Sequence, residues 1–191
     1  MKIWIVNPFD NLPQEGFRAQ RYSLMASALE RRGHEVVLWT GDFNHGTKRK
    51  RILKQPLPGN IRMLKTLSYP KNICLSRVLS HLLLARVWTK VADAEPARPD
   101  AIVVSSPPLG LALAAVRWGK RHGVKTVVDI QDAWPETFAR VLPGWAVRLL
   151  GRVAKAVYLG ADAISAVAGG YLELARSYGA ECPMKKTGHA K

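Results

Sequence analysis

The sequence predicts an α/β fold, a single Rossmann-like domain built on a parallel sheet. Three features predict it. Six short apolar runs recur along the chain, stretches of helical periodicity separate them, and glycines stand where helices must stop.

The first run, residues 3–6, is wholly apolar, as suits a strand covered on both faces. Pro8, Asp10, Asn11, Pro13 and Gly16 break the chain into a loop over residues 7–16. A helix is expected over about residues 17–32, with Tyr22, Met25 and Leu29 on its inner face and Gly33 as its left-handed stop. Residues 35–39 form the second apolar run and complete a βαβ unit. The basic run KRKRILK, residues 48–54, lacks interleaved aromatics and reads as a solvated loop. Residues 61–67 read as a short strand or part of a hairpin. From about Leu75 a helix follows, with Val78, Leu79, Leu82 and Leu83 on one side and His81 as a partly buried structural histidine.

Residues 100–104 are the next strand, and SSPPLG, residues 105–110, leads into a helix ending near His122 and Gly123. Residues 125–130 are a strand whose exit, DIQDAWPE, is the densest polar cluster in the chain. Residues 143–160 form a basic amphipathic helix. Trp145, Leu149, Val153 and Val157 share one face, flanked by Arg148, Arg152 and Lys155. Such a helix suits either a core position with a wet face or a membrane interface. Residues 162–167 are the last strand, followed by a helix to about Tyr178. The stretch 179–191 shows no periodicity and reads as an irregular tail after a domain spanning residues 1–178.

Composition narrows the partners. The 191 residues carry 29 Lys and Arg against 14 Asp and Glu, a formal net charge of +15 that favours anionic ligands or surfaces. Cys74 and Cys182 are far apart and outside any C-x-x-C, so neither a disulfide framework nor a zinc site is expected. The opening apolar stretch is too short for a signal peptide, and no run reaches bilayer-spanning length.

Ligands of open α/β sheets gather beyond the carboxyl ends of strands, so the loops there hold the candidate site. Gly16 permits close backbone approach, and Arg18 and Arg21 in the first helical turn oppose the helix dipole unless an anion sits there. There is no G-x-G-x-x-G and no Walker loop, which argues against a nicotinamide site or a P-loop. Ser105 and Ser106 lie at a strand end without a G-x-S-x-G, so they suit hydrogen bonding or capping rather than nucleophilic attack. In DIQDAWPE, Asp129, Asp132 and Glu136 stand with Gln131 and Trp134. An aromatic face beside carboxylates is a sugar-binding combination; the competing reading makes Trp134-Pro135 a hydrophobic plug.

VNPFDNLPQEGFRAQRY, RRGHEVVLWTG, PDAIVVSSPPLG, DIQDAWPE and ADAISAVAGGYLE, in this order, resemble the N-terminal half of a family 4 retaining glycosyltransferase of the bacterial surface-polysaccharide type. The resemblance implies a GT-B architecture of two Rossmann-like domains, the N-terminal one holding mainly the acceptor and the C-terminal one mainly the nucleoside-diphosphate sugar. The chain stops where such enzymes continue into a donor-binding domain with an E-x7-E signature, so it is expected to be catalytically incomplete alone. Many members have His-Asp where this chain has Gln131-Asp132, and many have a Gly-Gly pair where it has Gly16 alone.

By this resemblance Asp132 is the candidate catalytic carboxylate. Gln131, Trp134, Glu136, Ser105 and Ser106 would bind the acceptor, a glycan or lipid-linked glycan, and Gly16 and Arg18 would face the donor pyrophosphate. No metal and no cofactor beyond the sugar-nucleotide substrate are implied. A cytoplasmic location is expected, with peripheral contact to an anionic membrane and no specific nucleic acid. The alternative reading is a non-catalytic basic α/β module that binds nucleic acid or other anionic ligands.

Overall fold

The computed structural model describes residues 1–72 and 74–187. The class is α/β, with a seven-stranded sheet in which the pairs of known register are all parallel. The chain falls into two compact units, Met1–Ala101 and Ile102–Lys191.

In the first unit, β1 (Lys2–Val6) is followed by α1 (Arg21–Glu30) and β2 (Glu35–Gly41). A two-stranded hairpin, β3 (Phe43–Asn44) and β4 (Arg49–Lys50), then precedes β5 (Ile61–Leu64) and α2 (Leu75–Ala94). β1 pairs in parallel with β2, and β2 with β5. The apolar run of β1 is buried, Trp4 and Ile5 at 0 % exposure, as the sequence requires of a strand covered on both faces. Trp4 packs on Trp39 with ring centroids 4.8 Å apart, and Trp39 meets Trp88 of α2 edge-on at 6.2 Å.

Two expectations fail in this unit. The helix α1 starts at Arg21 rather than near residue 17, because Gln20 is extended and an upstream carboxylate caps the helix. The helix α2 is rotated from the expected face: Val78, Leu79 and Leu82 are exposed, whereas Ser80, His81, Leu84, Trp88 and Ala92 are buried. Spacings of four from Ser80 through Leu84 and Trp88 to Ala92 keep that face inward, and the large indole of Trp88 fixes it. His81 is buried, as expected of a structural histidine.

In the second unit, β6 (Ala101–Ser106), which begins one residue earlier, leads to α3 (Leu109–His122) and β7 (Lys125–Ile130). After α4 (Gly144–Gly160) come β8 (Ala163–Ala166), α5 (Gly169–Ser177) and β9 (Met184–Lys186). β8 lies between β7 and β9, parallel to both. Residues 184–186 are therefore a strand inside the expected irregular tail. Their pairing with β8 supplies the order that the polar sequence conceals; residues 188–191 lie outside the described residues.

Close helix packing here depends on two glycines. A Cβ on Gly119 of α3 would lie 2.2 Å from Thr126 Oγ1, and one on Gly160 of α4 would lie 2.4 Å from Val116 Cγ1. Along α4, Val157 is buried but Trp145 and Leu149 are exposed, so the expected apolar face is split between core and solvent.

Candidate functional site

The loop after β1 is tied down by residues far away in sequence. The buried side chains of Glu15 and Arg51 form an ion pair. Arg51 Nε also donates to the Gly41 carbonyl at 2.6 Å, and Nη2 donates to the Asp10 carbonyl at 2.8 Å. Glu15 accepts in addition from the Leu12 N–H at 2.9 Å and from Asn44 Nδ2 at 3.1 Å. The basic run is thus not simply a solvated loop: its Arg51 is an interior brace for residues 8–15.

Asp10 accepts from the Tyr22 N–H at 2.8 Å, which satisfies a free donor of the first turn of α1. Burial holds the Asp10 carboxyl above its usual pKa, although the Tyr22 and Asn7 hydrogen bonds pull the other way. This helix N-terminus, expected to face an anion, is occupied in part by the chain's own carboxylate. Gly16 is exposed and left-handed at φ 84°, and Arg18 is exposed and precedes the helix. Lys54 covers Gly16, its Nζ 3.0 Å from where a Cβ would be. Lys54 was hidden from sequence reasoning because nothing local ties it to Gly16; its N–H donates to the Gln14 carbonyl at 2.7 Å.

The turn after β7 is organised differently. Asp129 is fully buried and accepts from Ser165 Oγ at 2.6 Å and from Gln131 Nε2 at 2.5 Å. Its polar atoms serve the sheet between β7 and β8. The Gln131 N–H donates to the Ser106 carbonyl at 2.8 Å, bringing the two predicted segments together through their backbones.

Asp132 is half-buried. It accepts from the Ala133 N–H at 2.8 Å and from Trp134 Nε1 at 3.2 Å. Thr137 Oγ1 lies 3.2 Å from Asp132 Oδ1 but only 2.6 Å from the Ala133 carbonyl, and its single proton goes to the nearer acceptor. A carboxylate has about four acceptor positions, so Asp132 is held by two firm donors and retains capacity for a ligand hydroxyl.

Trp134 is 8 % exposed and meets Phe138 edge-on at 4.5 Å. Glu136 is exposed and accepts from the Tyr178 hydroxyl at 2.6 Å. Burial, and then that bond to Glu136, raises the Tyr178 pKa. Ser105 and Ser106 are interior. The Ser105 hydroxyl has no partner among the described residues, and Ser106 Oγ lies beside the Tyr158 hydroxyl without reaching hydrogen-bond geometry. Burial pushes the Tyr158 phenol up to about 12. Among the described residues no group of three or more His, Cys, Asp or Glu side chains could hold a metal ion, and no helix is long and apolar enough to cross a membrane.

Solved structures share this fold at low identity. Sucrose-phosphate synthase from Thermosynechococcus elongatus matches with a TM-score of 0.58 at 10% identity, over 98% of this chain and 47% of that one. A Polygonum tinctorium UDP-glucosyltransferase that glucosylates indoxyl matches with a TM-score of 0.54 at 13% identity, over 98% of this chain and 52% of that one. UDP-GlcNAc 2-epimerase from Methanocaldococcus jannaschii matches with a TM-score of 0.52 at 17% identity, over 99% of this chain and 46% of that one. The chain therefore spans about half the length of the structures it resembles. No curated protein matches the sequence. A family model described as a glycosyl transferase 4-like domain matches residues 19–184, nearly the whole chain, and to that family the chain belongs.

Proposed function

We propose that this chain is the acceptor-side half of a retaining GT-B glycosyltransferase. It would act with a donor-binding domain to move a sugar from a nucleoside diphosphate to a glycan or lipid-linked acceptor in surface-polysaccharide synthesis, with no cofactor. The family match over residues 19–184 carries the transferase reading. Structures of similar fold include a complex with UDP and a UDP-GlcNAc 2-epimerase, which supports a nucleotide-sugar donor.

Asp132 is the carboxylate best disposed for the reaction. It follows β7 at its carboxyl end, is half-buried, and is oriented by Ala133 and Trp134 with acceptor capacity left. It either orients the acceptor hydroxyl or takes its proton as the hydroxyl attacks, the departing phosphate being the other base available. Gln131 and Glu136 flank it, and Gly16 and Arg18 serve the donor pyrophosphate, with Lys54 as a further cation beside Gly16.

The test is turnover of this chain fused to, or co-expressed with, a donor-binding domain. Asp132→Asn is expected to lose roughly one to two decades if Asp132 only orients, from about 1.5–3 kcal/mol. It loses about two to four decades if Asp132 accepts the proton. Near-full activity of Asp132→Asn beside collapse of Glu136→Gln would move the site to Glu136.

A cytoplasmic membrane surface is the proposed place of work. Trp145 and Leu149 are 65% and 53% exposed on α4, where Arg148, Arg152 and Lys155 can meet anionic headgroups at about 1 kcal/mol each. Flotation should recover the protein with anionic liposomes and not with neutral ones; equal recovery with both would refute the contact.

A further inference from the structure

In the first unit, a shallow recess opens where β1, β2 and β5 end, between Pro8, Phe9, Phe43, Tyr69, His81 and Leu84. Its walls are mostly apolar. Phe9 stacks toward His45 and His81 at 5.1 Å and 5.8 Å between ring centroids, and Phe43 packs on Tyr69 at 4.6 Å.

Two cations sit beside Tyr69, one of the lining residues, without lining the recess themselves. Lys48 Nζ lies 5.3 Å, and the Arg77 guanidinium carbon 5.8 Å, from the centroid of the Tyr69 ring. Both are anchored on Asn72: Lys48 Nζ donates to its Oδ1 at 2.6 Å, and Arg77 Nη1 donates to its carbonyl at 2.5 Å. Lys48 Nζ also lies 3.2 Å from His45 Nδ1, and the Tyr69 hydroxyl lies 2.7 Å from the same atom. An ammonium can only donate, so Lys48 reaches whichever His45 ring nitrogen lacks the proton, Nδ1 at 3.2 Å or Nε2 at 3.5 Å.

Lys48 and Arg77 are the cations that act on these histidines. Burial first, then Lys48 and Arg77, hold His45 down at about 4; burial first, then Arg77 and His45, hold His81 down at about 3. The carboxylate beyond Thr66 on the recess wall, Asp42, is already paired with Lys50 at 2.8 Å. The Cys74 thiol, near Arg77, lies below its usual pKa through its Ser76 hydrogen bond.

The backbone gives a second, independent sign. Among the described residues Lys48 is the one non-glycine with positive φ, at 56°, in the turn between β3 and β4. Glycine or asparagine takes that conformation most readily. A lysine there instead swings an ammonium over Tyr69. Backbone strain that delivers a cation to a cluster already rich in positive charge has a use when an anion completes the cluster.

We propose that Lys48 and Arg77, brought together around Tyr69 and Asn72 at the edge of this recess, bind a phosphate group. Arginine grips phosphate oxygens with paired donors and lysine as a point charge. The proposal does not rest on the transferase reading.

The test follows the His45 and His81 ring resonances by NMR while the intact chain is titrated with inorganic phosphate, hexyl phosphate or UDP. Saturable shifts of both rings are expected with at least one probe. Tightest binding of hexyl phosphate identifies a phosphate on an apolar carrier, of inorganic phosphate a free anion, and of UDP a nucleoside diphosphate. Lys48→Met and Arg77→Met should each weaken binding about ten- to hundred-fold, and Lys48→Arg should restore most of it. Lys90→Met, elsewhere on α2, should change nothing. Absence of saturable shifts with all three probes overturns the proposal. So does full affinity in folded Lys48→Met, or a loss in Lys90→Met as large as in Lys48→Met, which would mean attraction by net charge alone.

Discussion

The loop after β1 and the turn after β7 both follow buried parallel strands and both carry carboxylates, yet they are held by opposite means. In the first, Arg51 reaches Glu15 from 36 residues away and the Asp10 carbonyl from 41. In the second, Asp132 is held by Ala133 and Trp134, its neighbours at one and two residues. A loop fixed through a buried ion pair depends on distant packing. A turn fixed by its own side chains carries its geometry in a few consecutive residues, and a half-buried carboxylate there stays available to a ligand.

The largest effect expected from this contrast is that of Arg51→Ala. The Arg51 and Glu15 side chains are 0% and 4% exposed, so removing one leaves the other charged, buried and uncompensated. The expected loss is roughly 3–5 kcal/mol, read as a fall in the urea midpoint. Arg51→Met with Glu15→Gln should recover part of it, because no unpaired charge then remains. A loss below about 1 kcal/mol for the single variant, the range of exposed ion pairs, would show that the brace is not interior.

An intermediate effect is expected at Gly16. Its φ of 84° is left-handed, where a Cβ is strained, and that Cβ would meet Lys54 Nζ at 3.0 Å. The lysine terminus can swing aside, so the backbone term dominates, at about 1–2 kcal/mol for Gly16→Ala. If Gly16→Ala matched wild type in thermal unfolding, the left-handed turn would not be fixed in the folded loop.

The same contrast explains what was legible in the sequence. β1, β2 and β7 announced themselves because a strand covered on both faces must be apolar along its length. In the turn DAWPE, Asp132 was legible because its bonds to Ala133 and Trp134 are local, whereas Glu136 is tied to Tyr178 42 residues away. Arg51 was not: inside KRKRILK it resembles its solvated neighbours, and only folding brings it to Glu15. The start of α1 was misplaced for the same reason, since its capping carboxylate, Asp10, lies 12 residues before Tyr22. On α2 the leucine count pointed to one face while Trp88 fixed the other, and β9 was hidden because its partner β8 supplies the order its own residues lack. Of the candidate site, the strand-end location was readable. The burial of Ser105, Ser106 and Asp129, and the placing of Lys54 on Gly16, depended on tertiary packing.

The smallest effect is expected at the turn itself, and it decides whether the activity test on Asp132 can be trusted. Asparagine at position 132 still offers one oxygen to the Ala133 N–H, which Asp132 now accepts at 2.8 Å. Its amide nitrogen would face Trp134 Nε1, a donor now 3.2 Å from the carboxylate, and that bond is lost. Rotating the amide would exchange the two losses rather than remove them. One modest hydrogen bond at a half-buried site corresponds to about 0.5–1.5 kcal/mol. For a chain of this size that is a fall in Tm of about 1–6 °C. The Trp134 ring, edge-on to Phe138, is held by that packing as well as by Asp132, so the turn should keep its shape. Asp132→Asn should therefore melt slightly early and cooperatively while losing turnover by decades in the fused enzyme. If it melted as early as Arg51→Ala, the turn would not be held locally, and its lost turnover would report unfolding instead of chemistry.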